Sequence, residues 1–374
     1  MTKIELLAPA KDLEKAKTAI DYGADAVYLG GKSFSLRSRA SNFENEDIKE
    51  IVGYAHQRGA KIYVTVNIVF HDEDFEGLKE YLLLLGSYGV DAIIVSSPFV
   101  MALSKELVPQ MEIHVSTQLS SLNSEAIATL GSFGADRVVL GREASMSEIY
   151  SMCENSTLPL EVFIHGGMCS NYSGRCVMSN RMTGRDANRG GCAHSCRWRY
   201  HIYEGDELIS DPNEPLSMSS KDLRATEYIA DLIHAGVASL KIEGRMKSEY
   251  YIAQTVKTYR NMIDEVYEKG YLDPERIAYY NNELNKAENR PSDSGFLSGV
   301  CDESKSLYDI NGTGVTHDYV ALVKDYDPIR RLALVEVKNM FDEGDRLEAF
   351  GPFLDNKDFI VSTMFDEDWK VVKE

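Results

Sequence analysis

Four of the chain's six cysteines, Cys169, Cys176, Cys192 and Cys196, lie in one 28-residue window, with 6, 15 and 3 residues between successive thiols. Thiolates are the soft ligands that hold zinc and iron–sulfur clusters. The window runs from His165-Gly-Gly-Met-Cys169 through Ser173-Gly-Arg-Cys176 to Arg189-Gly-Gly-Cys192-Ala-His-Ser-Cys196. Its glycines let the backbone bend around a metal without side-chain clashes. Structural zinc sites usually show two close cysteine pairs. Cys192 and Cys196 form one such pair, but six residues separate Cys169 from Cys176. The spacing therefore leans to an iron–sulfur cluster and keeps zinc open. Cys153 and Cys301 stand outside the window, in ordinary helix and linker sequence, and read as structural.

The window is also basic. Six arginines and one acid fall between Arg175 and Arg199, in a chain whose net charge is -19. That balance argues against a general nucleic-acid binder, which needs clustered cations to neutralise phosphates. The local excess reads as counter-charge for four thiolates, as a mouth for a polyanion or a dicarboxylate, or as both. No segment approaches the ~20 apolar residues of a membrane span, and the N-terminus lacks a signal-peptide pattern. A cytoplasmic protein with no membrane partner is expected, which favours metal ligation over disulfides.

The elements that must position this window follow from a recurring phrase. It occurs as Tyr22-Gly-Ala-Asp-Ala-Val-Tyr, Tyr88-Gly-Val-Asp-Ala-Ile-Ile, Phe133-Gly-Ala-Asp-Arg-Val-Val and Ala235-Gly-Val-Ala-Ser-Leu-Lys. Each glycine stands where a helix end needs a positive φ, and each opens a short apolar run suited to a buried parallel strand. Eight strands are predicted: 4–8, 26–29, 61–67, 92–96, 112–116, 137–140, 161–165 and 239–243. Helical patterns separate most of them, at 47–56, 75–85, 147–154 and 223–235, and a long helix spans 249–269. The pattern predicts an α/β fold, a (β/α)8 TIM-like barrel over residues 1–289 with a cysteine- and arginine-rich insertion at 166–200. No glycine-rich dinucleotide fingerprint follows the first strand. A linker at 290–311 leads to short alternating runs at 312–374, a small antiparallel β-barrel-like domain. That domain is short for a closed barrel, so an incomplete one is expected.

Barrel active sites lie at the C-terminal ends of the strands. The residues there are Arg39, Asn67, His114, Gln118, Arg142, His165, Glu243 and Arg245. His165 and Glu243 are the candidate catalytic pair, a proton carrier and a base. Arg39, Asn67, His114, Gln118, Arg142, Arg181, Arg185 and Arg245 are candidate substrate-binding residues. Arg245 is suited to holding a carboxylate in a bidentate contact. The plainer alternative is that such residues bond neighbouring loops, or that Glu243 and Arg245 pair with each other. No Ser/His/Asp constellation can be argued from spacing, and His-Glu-x-x-His is absent.

These residues resemble peptidase family U32, the collagenase-like proteins, over most of the chain. The resemblance rests on Leu7-Ala-Pro-Ala, Asp25-Ala-Val-Tyr-Leu-Gly-Gly, Val115-Ser-Thr-Gln and Glu161-Val-Phe-Ile-His-Gly-Gly-Met-Cys169. It continues through Ser173-Gly-Arg-Cys176, Cys192-Ala-His-Ser-Cys-Arg-Trp198, Ser220-Lys-Asp-Leu223 and Ser239-Leu-Lys-Ile-Glu-Gly-Arg-Met-Lys-Ser248. The C-terminal runs Val337–Asp345 and Glu348-Ala-Phe-Gly-Pro352 are similar to the branch that acts in tRNA hydroxylation. The resemblance implies a [4Fe-4S] cluster on Cys169, Cys176, Cys192 and Cys196, although some relatives draw the fourth ligand from a later segment. It implies hydroxylation of the wobble uridine of tRNA to 5-hydroxyuridine, with prephenate as the small dicarboxylate co-substrate and room for a homologous partner subunit. The competing readings are a U32-type protease, as the family name records, and a zinc-stapled RNA- or protein-binding adaptor.

Overall fold

The computed structural model describes residues 3–36, 42–307 and 316–373. Eight parallel strands close on themselves: β1 (Glu5–Pro9), β2 (Ala26–Gly30), β3 (Lys61–Val66), β4 (Ala92–Val95), β5 (Glu112–Val115), β6 (Arg137–Val139), β7 (Leu160–Gly166) and β8 (Ser239–Ile242). β8 closes the wall, pairing with β1 on one side (Glu5 opposite Ser239) and with β7 on the other (Glu161 opposite Ser239). The helices outside the wall are α1 (Leu13–Asp21), α2 (Asn45–Gln57), α3 (Leu78–Tyr88), α4 (Pro98–Leu107), α5 (Ser124–Ser132), α6 (Met146–Asn155), α8 (Ile229–His234) and α9 (Glu249–Lys269). α7 (Met178–Thr183) lies within the insertion and α10 (Pro274–Asn285) follows α9. This is the (β/α)8 barrel expected, and the predicted strands agree with it to within two residues at either end.

The recurring phrase explains itself in the fold. Gly23, Gly89, Gly134 and Gly236 adopt φ of +105°, +77°, +94° and +82° at the turns into β2, β4, β6 and β8. In the first three copies the following aspartate performs a second task. The carboxylates of Asp25, Asp91 and Asp136 accept from the backbone N–H of Leu6, Ile62 and Ile113 on the preceding strands, each at 2.8 Å. Each aspartate thus satisfies an otherwise open strand-end donor and pins adjacent strands at the bottom of the barrel.

One apolar layer lies between the wall and the helices, and a smaller one, with Leu7, Ala26, Tyr28, Tyr63, Ala92 and Ile94, fills part of the interior. The rest of the lower interior is ionic. Glu161, with no exposed surface, accepts from Lys241 at 2.7 Å and from Arg137 at 3.2 Å. Arg137 also binds Glu5 at 2.5 Å, and Glu5 accepts from Tyr63 (2.6 Å) and Ser239 (2.9 Å). Burial alone would raise the Glu161 pKa, but the two cations hold it down to about 2.

Two local expectations change. The helix predicted over 223–235 is confined to Ile229–His234, because Asp222–Arg224 instead forms a short strand antiparallel to the end of β7. That short strand is also paired by the linker segment Ser292–Asp293. In the C-terminal region, β9 (Ala321–Asp327) pairs with β10 (Leu332–Val337), and β11 (Arg346–Gly351) with β12 (Leu354–Ile360). Among the described residues these hairpins remain separate two-stranded sheets and do not close into a barrel. Lys257 of α9 docks them by donating to the carbonyls of Gly351 and Leu354 at 2.9 and 2.6 Å, and Tyr22 stacks on Phe350 at 5.1 Å.

Removing one partner of a buried ion pair typically costs about 3–5 kcal/mol, whereas replacing both by apolar residues is often neutral. Lys241→Met should therefore lower stability by about that amount, and Glu161→Leu/Lys241→Met should recover most of it, both read from urea unfolding. Equal stability of the single and double variants would contradict the role assigned to the pair.

Candidate functional site

The cysteine window forms a loop that crosses the C-terminal mouth of the barrel and is stitched to several of its rims. At the β6 rim, the Ser173 backbone N–H and hydroxyl both donate to Glu143, at 2.8 and 3.1 Å. At the β5 rim, Ser120 donates to the Ser173 carbonyl and Arg175 donates to the Ser120 hydroxyl at 3.2 Å. On the β3 side, the Val69 N–H donates to the Asn188 carbonyl at 3.0 Å, and Arg189 binds Asp74 and the Val69 carbonyl. Arg189 holds the Asp74 carboxyl below its usual range. Gly174 makes the approach possible. Its φ is +73°, and a Cβ there would stand 2.0 Å from the Gln118 carbonyl oxygen.

Beneath the loop, Arg142 lies over the Phe163 ring, 4.0 Å from its centroid, donates to the Gly167 carbonyl, and stands 3.9 Å from Glu243. Glu243 accepts from Tyr28 at 3.0 Å. Asn67 bridges two rims, accepting from the Leu36 N–H and donating to Ser116, each at 3.2 Å. The backbone N–H of Gln118 also reaches Ser116, at 3.3 Å. Arg245 is buried and donates to Ser35 and Thr65 at 3.2 Å and to the Leu36 carbonyl. Glu243, Arg142, Asn67, Gln118 and Arg245 thus gather around the mouth. Arg181 is exposed on α7, and Arg185 donates to the Cys192 carbonyl at 3.3 Å, inside the loop itself. Arg39 lies outside the described residues.

Two candidates are placed elsewhere. His114 is fully buried lower in the barrel, 3.1 Å from Glu112 and edge-on to Tyr63 at 4.6 Å. Burial lowers its pKa. His165 should face the interior by strict alternation with Glu161 and Phe163. However, a bulge shifts the register so that Phe163 pairs with Lys241 and His165 with the next residue, Ile242. Such an extra residue re-aims the side chains beyond it. The His165 ring therefore turns to α9, 3.2 Å from the Tyr259 hydroxyl and 3.4 Å from Glu288, with Tyr251 alongside. Burial, with Arg224 and Lys247 nearby, pushes its pKa down to about 3. Nothing in the alternating strand pattern signals the bulge.

All six cysteines are free thiols. Cys169 has an accessible surface, yet the crowded mouth still raises its pKa; Arg142 opposes that rise, while Cys192, Cys196 and Glu243 add to it. Three of the four window thiols therefore share one electrostatic field. Among the described residues, no three His, Cys, Asp or Glu side chains stand in metal-holding geometry. The donors suit a thiolate-ligated cluster in kind: four unpaired thiols on one loop, with cations beside them. Ligation would have to draw them together.

A closed barrel whose mouth is crossed by a cysteine-bearing loop defines the class. The chain belongs to peptidase family U32: the family profile matches residues 11–306, and that of the U32 C-terminal domain matches residues 315–374. It is 44% identical to tRNA hydroxylation protein P1 of Bacillus subtilis, over 98% of this chain and 88% of the relative. It is 39% identical to the 23S rRNA 5-hydroxycytidine C2501 synthase of Escherichia coli, over 71% of this chain and 40% of the relative. It is 35% identical to a Methanocaldococcus jannaschii protein named as an uncharacterized protease, over 97% and 91% of the two chains. Among the described residues no helix is long and apolar enough to cross a membrane.

Two outcomes follow from this geometry. Gly174→Ala should unseat the loop and raise protease susceptibility between Cys169 and Cys196 while the barrel's unfolding midpoint changes little; equal cleavage rates would contradict the close approach. His165 stays neutral in the fold but protonates when unfolded, so its contribution to stability is present above about pH 6.5 and is lost as pH falls toward about 3. His165→Phe should flatten the stability–pH curve across that window, measured by urea unfolding at successive pH values.

Proposed function

We propose that this chain is an RNA hydroxylase that converts the wobble uridine of tRNA to 5-hydroxyuridine. The observation that carries the reading is near full-length identity of 44% to a protein named for tRNA hydroxylation. The geometry supports it in kind. The mouth gathers Arg142, Glu243, Tyr28 and Asn67 beneath a basic loop, which suits an anionic substrate presented to a small polar chamber. The arginine excess of the loop gives an otherwise acidic chain one local place to meet phosphate.

In this reading Cys169, Cys176, Cys192 and Cys196 hold a [4Fe-4S] cluster, which supplies electron transfer or a Lewis-acidic iron to the mouth when bound. The chain's own residues do the remainder. Arg142 holds the Gly167 carbonyl at the root of the loop and keeps a cation beneath Cys169. Glu243, steadied by Tyr28, is the base nearest that cation. Prephenate is the dicarboxylate co-substrate in this reading, and a homologous partner subunit completes the working form in the cell. A peptidase activity is the second reading, favoured by the family name and by the relative named as a protease.

The test is deletion of the gene followed by mass spectrometry of 5-hydroxyuridine-derived nucleosides in bulk tRNA, with wild type and variants restored. Wild type should restore the modification, and Glu243→Gln should not. Intact modification in the deletion strain overturns the tRNA reading, and cleavage of casein or gelatin by the purified chain would then favour the peptidase. In anaerobically reconstituted protein, alanine at any of the four window cysteines should lower iron and acid-labile sulfide, whereas Cys153→Ala and Cys301→Ala should not. Full iron content in Cys196→Ala would move the fourth ligand elsewhere.

A further inference from the structure

At the root of the cysteine loop, cations from three separate parts of the chain come near one another. Arg197 comes from the loop, Lys247 from the segment after β8, and Arg290 from the linker to the C-terminal domain. Among the described residues the half-buried Arg197 guanidinium takes part in no hydrogen bond or ion pair. It stands 3.5 Å from where a Cβ on Gly167 would lie. Arg290 donates through one end to the Ser219 hydroxyl at 2.7 Å and to the Ser220 carbonyl at 2.8 Å, and its buried Nε faces Asp222 as an ion pair without hydrogen-bond geometry. Lys247 donates to the neutral side-chain carbonyl of Asn289 at 3.2 Å.

The nearby carboxylates offset these charges only in part, because Arg197 has no ion-pair partner among the described residues. Asp222 forms an ion pair with the Arg290 Nε at 3.4 Å through a buried oxygen that accepts no hydrogen bond, and that oxygen lies 3.9 Å from where a Cβ on Gly167 would stand. Glu288 is engaged by Ser292 at 2.8 Å, with His165 and Arg224 at 3.4 and 3.7 Å. The cations are close enough to act on one another. Burial lowers the pKa of Lys247; Asp222 and Glu288 oppose the shift, and Arg197 and Arg290 add to it. Holding like charges together with open donors is unfavourable unless an anion completes the group.

We propose that Arg197, Lys247 and Arg290 form a pocket for a small oxyanion, a carboxylate or a phosphate group, beside the root of the cysteine loop. Two guanidinium groups and an ammonium supply the fork-like and point-charge donors such a group accepts. Gly167, with no side chain, borders the pocket, with Arg197 at 3.5 Å and Asp222 at 3.9 Å from where a Cβ would lie. Occupancy would tie the loop, the β8 end and the linker together, and so couple anion binding to the position of Cys196, the residue before Arg197. The pocket deepens the functional reading above by offering a place for an anionic co-substrate. It rests on that reading for which acid is bound and not for the binding itself.

The experiment is calorimetric titration of the anaerobically purified full chain with malonate and, separately, with inorganic phosphate, in the absence of RNA. Saturable binding of at least one probe is expected. Arg197→Ala should weaken it about ten-fold or more, the scale of one lost charged hydrogen bond. Gly167→Ala keeps every charge, and its methyl group would meet Arg197 at an ordinary contact distance, so it should weaken binding with iron content unchanged. Preference for malonate assigns the pocket to a free organic acid; preference for phosphate, with displacement by tRNA, assigns it to the RNA backbone. Absence of saturable binding in the wild type overturns the proposal. So does undiminished affinity in Arg197→Ala, including the case where only iron content falls and Arg197 merely balances cluster charge. Because no hydroxylation is measured, failure here and failure of the tRNA assignment are separate results.

Discussion

The register of the barrel rests on one buried carboxylate. Glu161 sits where β7 meets the closing strand β8, and without Lys241 and Arg137 its charge would be untenable inside the wall. The three groups come from β6, β7 and β8, and Glu5 of β1 ties Arg137 to the other side of the closure. An apolar interior of the same volume would hold as well energetically. What the ionic layer adds is register, since a one-residue slip of β8 would strand an unpaired charge. The mouth inherits its geometry from that register. Phe163 and Lys241 face each other, and the bulge that follows decides which groups look into the chamber and which look out.

The cysteine loop is not an independent metal-binding module. Glu143, Ser120, Asp74 and Val69 hold it from separate rims, so its shape is set by the barrel beneath it. The linker reaches the same region from behind, through Ser292–Asp293 on the short strand and Arg290 beside Asp222. The thiols therefore stand on a loop anchored to the barrel rims, with the linker close to its root.

Much of the architecture was legible because parallel strands buried on both faces leave short apolar runs, and the repeated Gly-x-Asp phrase marks their starts. The long helix over 249–269 was plain for the same reason: its pattern is sustained and its ends are capped, by Ser248 at one and Gly270 at the other. The strand Asp222–Arg224 was hidden because three residues cannot establish a period and its partners, β7 and the linker, are distant in sequence. The gathering of Arg142, Glu243, Asn67 and Gln118 at the mouth followed from their places at strand ends. His114 and His165 diverged because one lies a step too deep on its strand and the other follows a bulge. Arg197, Lys247 and Arg290 are remote from one another along the chain, and no local pattern relates them.

The aspartates at positions 25, 91 and 136 carry a consequence of their own. They fasten the wall at the end away from the mouth, with bonds that no ligand at the mouth touches. Fastening and chemistry thus lie at opposite ends of the barrel. Loops at the open end can drift, lengthen or change charge without reopening the question of how the barrel closes. Substitutions in the loops can therefore change what the mouth binds while the bonds at the hidden end stay as they are.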